Sequence, residues 1–403
     1  MNKIEDYKNA QTALNNVLLP TPLIYSEYFS NETGNNVYLK PENMQVTGSF
    51  KVRGAYYKIS TLSPEQKEKG LITSSAGNHA QGVAYSAYAQ NLKSTIVMPS
   101  ATPLVKVNNT KKYGAEIVLA GDIYDEAHDE ALRISNETGA FYVHPFNDEL
   151  VATGQGTIAY EILQNLPDVD IVLVPIGGGG LAAGVATLIK MLNPNIKVIG
   201  VEPEGAAGMK LSINKGCVTP LDMVETIADG VAVRTVGDKM LPYIMKYVDD
   251  IILISDWELT NIFLDLTESH KLIAENAALL TLAAAYHLKE KGKNVVSILS
   301  GGNMDVLTMS SLIQMGMLSR GRIFTFCVTL PDKPGELVKV ATIAARHRGN
   351  VIKLEHNQFV NINRNVGVEL KVTLEAFGHD HKDEIMAALL QNGYSPSIVD
   401  TAI

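Results

Sequence analysis

Cysteine is nearly missing from this 403-residue sequence: Cys217 and Cys327 stand far apart and outside any metal-type spacing. That excludes a disulfide framework and suits a reducing compartment. Basic residues are short as well, 34 Lys and Arg against 43 Asp and Glu, for a formal net charge of -9. Neutralising nucleic-acid phosphates needs the opposite balance, so no nucleic-acid partner is expected. Long apolar runs are absent too. The most apolar stretch, 277–286, is too short to span a bilayer, and no membrane partner is expected. The first residues, Met-Asn-Lys-Ile-Glu-Asp-Tyr-Lys, lack the apolar core of a secretion signal. There is no internal repeat, low-complexity tract or block of like charge. A cytoplasmic globular protein is the expectation.

What is present is an alternation of short apolar strands and helical stretches. Strands are expected at 37–40, 70–73, 94–98, 116–119, 141–143, 171–175, 197–201, 249–254 and 295–299, with helices between most of them. Ala274 to Lys291 reads as one long helix. Repeated βα units predict parallel sheets with both faces covered. After a polar hinge at 318–322 the grammar becomes βαββαβ, the ferredoxin-like order. The expected division is therefore 1–320, with a smaller α/β subdomain at about 48–148, and a separate module at 323–403.

Four turns carry chemical promise. Ser49-Phe50-Lys51-Val52-Arg53-Gly54-Ala55 opens a helix that Ser49 can cap, and puts Lys51 in its first turn. A cation there opposes the helix dipole, so Lys51 is either simply solvated, the plainer reading by itself, or kept for its amine. Ser74-Ser75-Ala76-Gly77-Asn78-His79 joins a strand to a helix with the hydroxyls and amides that suit a small carboxylate. Gly177-Gly178-Gly179-Gly180, ahead of Leu181, leaves backbone N–H groups bare at a helix start, a natural phosphate cradle. Read locally, Gly178 to Ala183 also fits a dinucleotide fingerprint with Glu202 as the ribose acid, and NAD stays open. Ser300-Gly301-Gly302-Asn303 follows an apolar strand, where α/β sheets place ligands.

Taken together and in this order, the four motifs resemble the serine/threonine dehydratase branch of the fold-type II pyridoxal-phosphate enzymes, over nearly all of residues 5–320. The NAD reading leaves three motifs without a use. The resemblance implies a tryptophan-synthase-β-like core of two parallel-sheet domains and a pyridoxal 5'-phosphate cofactor carried by Lys51. Phe50 would lie against its ring, Asn78 would bond its 3'-oxygen, Gly177, Gly178, Gly179, Gly180 and Leu181 would hold its phosphate, and Ser300 would face its ring nitrogen. Ser75, Ala76, Gly77, Asn78 and His79 would receive the amino-acid substrate. Lys51, once displaced, is the natural base for the substrate Cα proton. Implied chemistry is elimination and deamination, threonine giving 2-oxobutanoate and serine pyruvate. Alanine at 76, where related racemases carry a serine, favours dehydration over racemisation. Gly208, where an aspartate is usual, removes a ligand, and no metal is expected. A serine-preferring dehydratase, a racemase and a non-catalytic amino-acid sensor stay as alternatives.

The last module resembles an ACT domain. By that resemblance Asp332, Pro334, Gly335 and Asn350 are candidates for a small-molecule effector site, and the chain is expected to form a homo-oligomer, dimer or tetramer. His379 and His381 read as solvated turn histidines.

Overall fold

A computed structural model of the chain describes residues 1, 3–357 and 367–401. Backbone contacts divide it into two compact units, Met1–Asp305 and Val306–Ile403. The helix Val306–Ser319, expected with the first unit, falls within the second.

The first unit holds two sheets. The larger has six strands in the order Ile24–Ser26, Asn36–Pro41, Asn294–Leu299, Ile171–Pro175, Lys197–Pro203, Asp250–Ile254. Only the first pair is antiparallel, with Ile24 opposite Leu39. The others run parallel, as the alternation of strands and helices requires. Every residue of Ile171–Pro175 is buried, the mark of a strand covered on both faces. Its Val172 and Val174 join Val198, Val296 and Ile298 in one core with the helices Glu149–Asn165 and Gly180–Leu192. The smaller sheet is wholly parallel: Glu116–Leu119, Ser94–Met98, Leu71–Ser74, Phe141–Tyr142.

The helix Glu149–Asn165 backs both the lysine helix and the glycine-loop helix. A Cβ on its Gly154 would fall 2.7 Å from the Arg53 carbonyl oxygen, and one on Gly184 of Gly180–Leu192 would fall 2.0 Å from the Ala152 carbonyl. Contacts this close tolerate only hydrogen at those positions. Gly54 N–H also donates to Gln155 Oε1 at 3.1 Å. The two loops that should bind opposite ends of one ligand thus share one support.

The long helix expected at 274–291 is shorter, Asn276–Tyr286. Beyond it the chain is drawn onto the strand edge: Asn35 Nδ2 donates to the Glu290 carbonyl at 3.0 Å and Lys291 Nζ to the Thr33 carbonyl at 2.7 Å. Tertiary hydrogen bonds here outweigh a favourable local helix propensity.

Among the described residues the second unit has four antiparallel strands in the order Asn350–Asn357, Val368–Glu375, Ile323–Leu330, Ser397–Val399, with helices Glu336–Arg346 and His379–Gln391. Ile323–Leu330 and Val368–Glu375, first and third of these strands along the chain, are neighbours, as in a split βαβ fold. His379 and His381 open the second helix rather than sit in a turn. Their Nε2 atoms bond the Ser319 and His347 carbonyls. Among the described residues no helix is long and apolar enough to cross a membrane.

Candidate active site

A cavity of about 720 Å³ opens between the two sheets of the first unit. Lys51, Phe50, Ser75, Ala76, Gly77, Asn78, His79, Gly177 to Leu181 and Ser300 all line it. Residues from four distant stretches of sequence therefore meet around one space.

Lys51 is the first residue of the helix Lys51–Ser60. Ser49 does not cap it: Phe50 occupies the cap position in helical conformation, and Ser49 Oγ is buried without a partner among the described residues. The backbone of Ser49 is committed elsewhere. It bridges Gly301, Phe50 N–H donates to the Ser300 carbonyl at 3.0 Å, and Gly302 N–H to the Gly48 carbonyl at 2.9 Å. These bonds zip the lysine turn to the serine turn. The Lys51 amine donates to the Pro145 carbonyl at 3.0 Å and lies 5.3 Å from the Phe50 ring centre. Burial pushes it down to about 8, with the Glu275 carboxylate pulling the other way. An amine poised there loses its proton far more readily than an exposed lysine.

Two residues on from Lys51, Arg53 is fully buried. Its guanidinium donates to both oxygens of Glu42 at 2.8 and 2.7 Å, to Glu161 at 2.5 and 2.9 Å, and to Thr157 Oγ1 at 3.1 Å. Lys40 joins Glu161 and Thr21 in the same cluster. Two cations and two carboxylates balance, so the lysine helix is pinned without net buried charge. Sequence reading found the Lys51 motif but gave Arg53 no role. An arginine two residues into a largely apolar helix was the available signal.

Gly179 takes φ +97° and precedes the helix Gly180–Leu192. A Cβ on Gly178 would fall 2.2 Å from the Phe146 ring. The loop is glycine partly because protein, rather than ligand, already fills the side-chain positions. Among the described residues the N–H groups of Gly177, Gly178 and Gly179 have no acceptor, and the first turn of a helix leaves its own N–H groups unpaired. That donor set fits a phosphate. At the facing turn a Cβ on Gly77 would meet nothing within 4 Å, so the wall there is cut back on the cavity side. Both observations fit a flat, phosphate-bearing cofactor.

Asn78 Nδ2 donates to both Glu275 oxygens at 2.8 Å, and Asn303 Nδ2 donates to Asn78 Oδ1 at 2.8 Å and to the Thr47 carbonyl at 2.8 Å. This chain ties two of the four motifs to each other and to the loop just ahead of the lysine motif. Burial raises Glu275 to about 7, against the Asn78 hydrogen bond and the nearby Lys51 charge. Ser300 is 2% exposed and lies on the cavity wall. His79 donates through Nε2 to the Val143 carbonyl at 2.9 Å, and burial drives it down to about 3. It is neutral and serves the wall of the turn. Ser75 Oγ accepts from Gly77 N–H at 3.2 Å and shapes the same turn.

Glu202, the acid a dinucleotide site would need, accepts from Met209 and Lys210 N–H at 2.7 and 2.9 Å. It caps the helix Gly208–Lys215 and is spent on that task. In the second unit the proposed effector residues separate. Asn350 pairs with Glu375 at one end of the sheet, while Asp332, Pro334 and Gly335 follow Leu330, which pairs with Val368 at the other. Within one unit the register keeps Asn350 apart from the other three.

Comparison with known proteins agrees with this geometry. The model of the pyridoxal-phosphate dependent enzyme family matches residues 14–301. L-threonine ammonia-lyase of Thermotoga maritima is 43% identical over 397 residues, 98% of this chain and 99% of that protein. The solved structure of processed threonine deaminase isoform 2 from Solanum lycopersicum superposes with a TM-score of 0.74 at 39% identity, covering 77% of this chain and 92% of that one. Maize serine racemase also gives 0.74, at 33% identity over 79% of this chain and 98% of its own. The chain belongs to the family of pyridoxal-phosphate dependent enzymes, on the branch that includes the threonine ammonia-lyases.

Proposed function

We propose that this protein deaminates L-threonine to 2-oxobutanoate and ammonia, with L-serine to pyruvate as a side activity. The observation that carries the proposal is the meeting of the Lys51 amine, the Ser75–His79 turn, the glycine loop and Ser300 around one cavity. Lys51 would carry the cofactor, Gly177 to Leu181 would hold its phosphate through backbone N–H groups, and Phe50, Asn78 and Ser300 would flank its ring. When bound, pyridoxal phosphate supplies an electron sink for the substrate Cα.

The chain's own residues do the rest. The Ser75–Asn78 turn receives the substrate carboxylate on its N–H groups and hydroxyl. The Lys51 amine, with its proton affinity lowered by burial, takes the Cα proton. Loss of the β-hydroxyl as water then leaves an unsaturated amine that water hydrolyses to the oxo acid and ammonia. Ser300 would offer the ring nitrogen a hydroxyl rather than a carboxylate, a weaker proton donor, which favours prompt loss of the β-group. Ala76 lines the cavity with a methyl group and moves no proton, which disfavours the racemase reading.

Purified protein incubated with L-threonine should release 2-oxobutanoate, and borohydride reduction should fix the cofactor to Lys51. A Lys51→Ala protein with unchanged turnover refutes the assignment. The 323–403 module is proposed to bind a small effector through the Asp332–Gly335 loop and to support a homo-oligomeric, cytoplasmic enzyme. Threonine saturation curves with and without candidate amino acids test the first part.

A further inference from the structure

The mechanism uses the Lys51 amine but leaves open what holds that amine when it is not bonded to cofactor. Among the described residues it has one hydrogen-bond acceptor, the Pro145 carbonyl at 3.0 Å. Pro145 is buried on the cavity wall, in the segment Val143–Asn147 that follows the short strand Phe141–Tyr142. That segment has no regular secondary structure to fix the direction of its carbonyls. Its ends are held from outside, Val143 by Ile72, Thr73 and His79 and Asn147 by Asp238 and Lys239, and between them one side chain closes the turn.

His144 Nδ1 accepts from Phe146 N–H at 3.2 Å and from Asn147 N–H at 2.9 Å. A side-chain acceptor taking the N–H groups two and three residues on is the bonding of an Asx turn, here made by an imidazole. It closes the backbone around Pro145 and turns that carbonyl toward Lys51. The His144 ring also stands edge-on to Phe146, with centres 4.8 Å apart and planes at 85°. Phe146 in turn fills the space beside Gly178 and Gly180. One turn therefore reaches both the amine and the phosphate cradle.

We propose that the Pro145 carbonyl is the resting acceptor of the Lys51 amine whenever that amine is free of cofactor, and that His144 is the positioning residue that aims it. The proposal rests on the reading of Lys51 as the cofactor lysine. Both bonds to Nδ1 require that atom unprotonated, so the ring carries its hydrogen on Nε2. Its surroundings keep it so: burial first, then the neighbouring His128, Lys51 and Lys239 hold it down to about 4, against Asp148. The ring faces Tyr142 and Phe146 on its other sides.

Two substitutions separate the acceptor from the ring. His144→Asn keeps an oxygen where Nδ1 stands and loses the aromatic face. His144→Phe keeps the face and loses the acceptor. The readout is the pH profile of Lys51 reductive methylation in the full chain freed of cofactor, followed residue by residue by mass spectrometry. Without its aimed acceptor the ammonium form loses a charge-assisted hydrogen bond, so the Lys51 midpoint should fall by about one pH unit in His144→Phe. It should stay near its wild-type position in His144→Asn. On the loaded enzyme, His144→Phe should lower kcat with KM for threonine nearly unchanged, and His144→Asn should restore it. If phenylalanine prevents folding, His144→Ala carries the same expectation. A wild-type midpoint in His144→Phe or His144→Ala overturns the proposal, as does an equal shift in both the asparagine and phenylalanine proteins. Because the labelling is done without cofactor, it fails independently of the borohydride test of Lys51 attachment.

Discussion

Replacing Arg53 by methionine tests how the catalytic helix is held. Methionine approximates the length of the side chain but removes five donor contacts and one positive charge. Glu42 is fully buried and Glu161 largely so, and after the change they share only Lys40 and neutral donors. Removing one partner of a buried, hydrogen-bonded ion pair costs about 3–5 kcal/mol, because the partner left behind stays desolvated. The double variant Arg53→Met/Glu42→Met leaves Lys40 and Glu161 balanced, so it should recover a good part of that loss. Urea unfolding of the four proteins in the cycle, followed by far-UV circular dichroism and by the single Trp257, gives the comparison. Trp257 lies on the helix Asp256–His270 in the same unit and reports on it. Since Lys51 begins the helix that Arg53 anchors, kcat should fall with stability in Arg53→Met and return in part in the double variant. A loss below about 1 kcal/mol in the single variant, or a double variant no better than the single, would refute the idea that charge balance pins this helix.

Other outcomes follow from the same geometry. Glu275 is held near 7 in the folded protein, so the folded state keeps a proton there that the unfolded chain has released above its ordinary carboxylate value. Its contribution to stability therefore falls by about 3 kcal/mol as pH rises from about 4.5 to 7. Glu275→Gln should flatten that part of the stability–pH curve, with Glu202 keeping its own share; a curve of unchanged slope counts against it. Gly178→Ala should drive a methyl group into the Phe146 ring, at a cost of about 1–3 kcal/mol, and reduce cofactor loading read as visible absorbance. Phe146→Leu in the same chain should relieve part of the loss. Ala76→Ser should raise D-serine formation from L-serine, measured by chiral chromatography, while pyruvate stays the main product.

The strands were legible because a parallel sheet covered on both faces writes itself as short apolar runs, as Ile171–Pro175 shows. The site motifs were legible because bare backbone N–H groups demand glycine and a cofactor lysine stands out at a helix start. What could not be read was anything set by long-range bonding. Ser49 looked like a cap, yet its backbone is taken by Gly301 and its hydroxyl left alone. The helix expected to run to Lys291 stops at Tyr286 because residues near Asn35 claim the chain beyond it. The start of Glu149–Asn165 is set by Asp148, which caps it by accepting from Leu150 and Val151 N–H. The helix's supporting role was written in Gly154 and Gly156, small residues in mid-helix whose reason is the backbone of a neighbouring helix. Asn350 was grouped with Asp332 and Gly335 by family resemblance, and only strand register could separate them.

The strand Asn294–Leu299 lies between Asn36–Pro41 and Ile171–Pro175, although it is the last of the six to be made. During synthesis the first two strands have no place on the growing sheet until this one arrives and is inserted. The serine turn that follows it is also what holds the backbone ahead of Lys51. Contacts spanning some 250 residues of sequence form slowly, because loop closure must precede the gain from pairing. The lysine amine therefore remains an ordinary, hydrated one for most of the chain's assembly. The burial that lowers its proton affinity is complete only once that strand and its serine turn are in place.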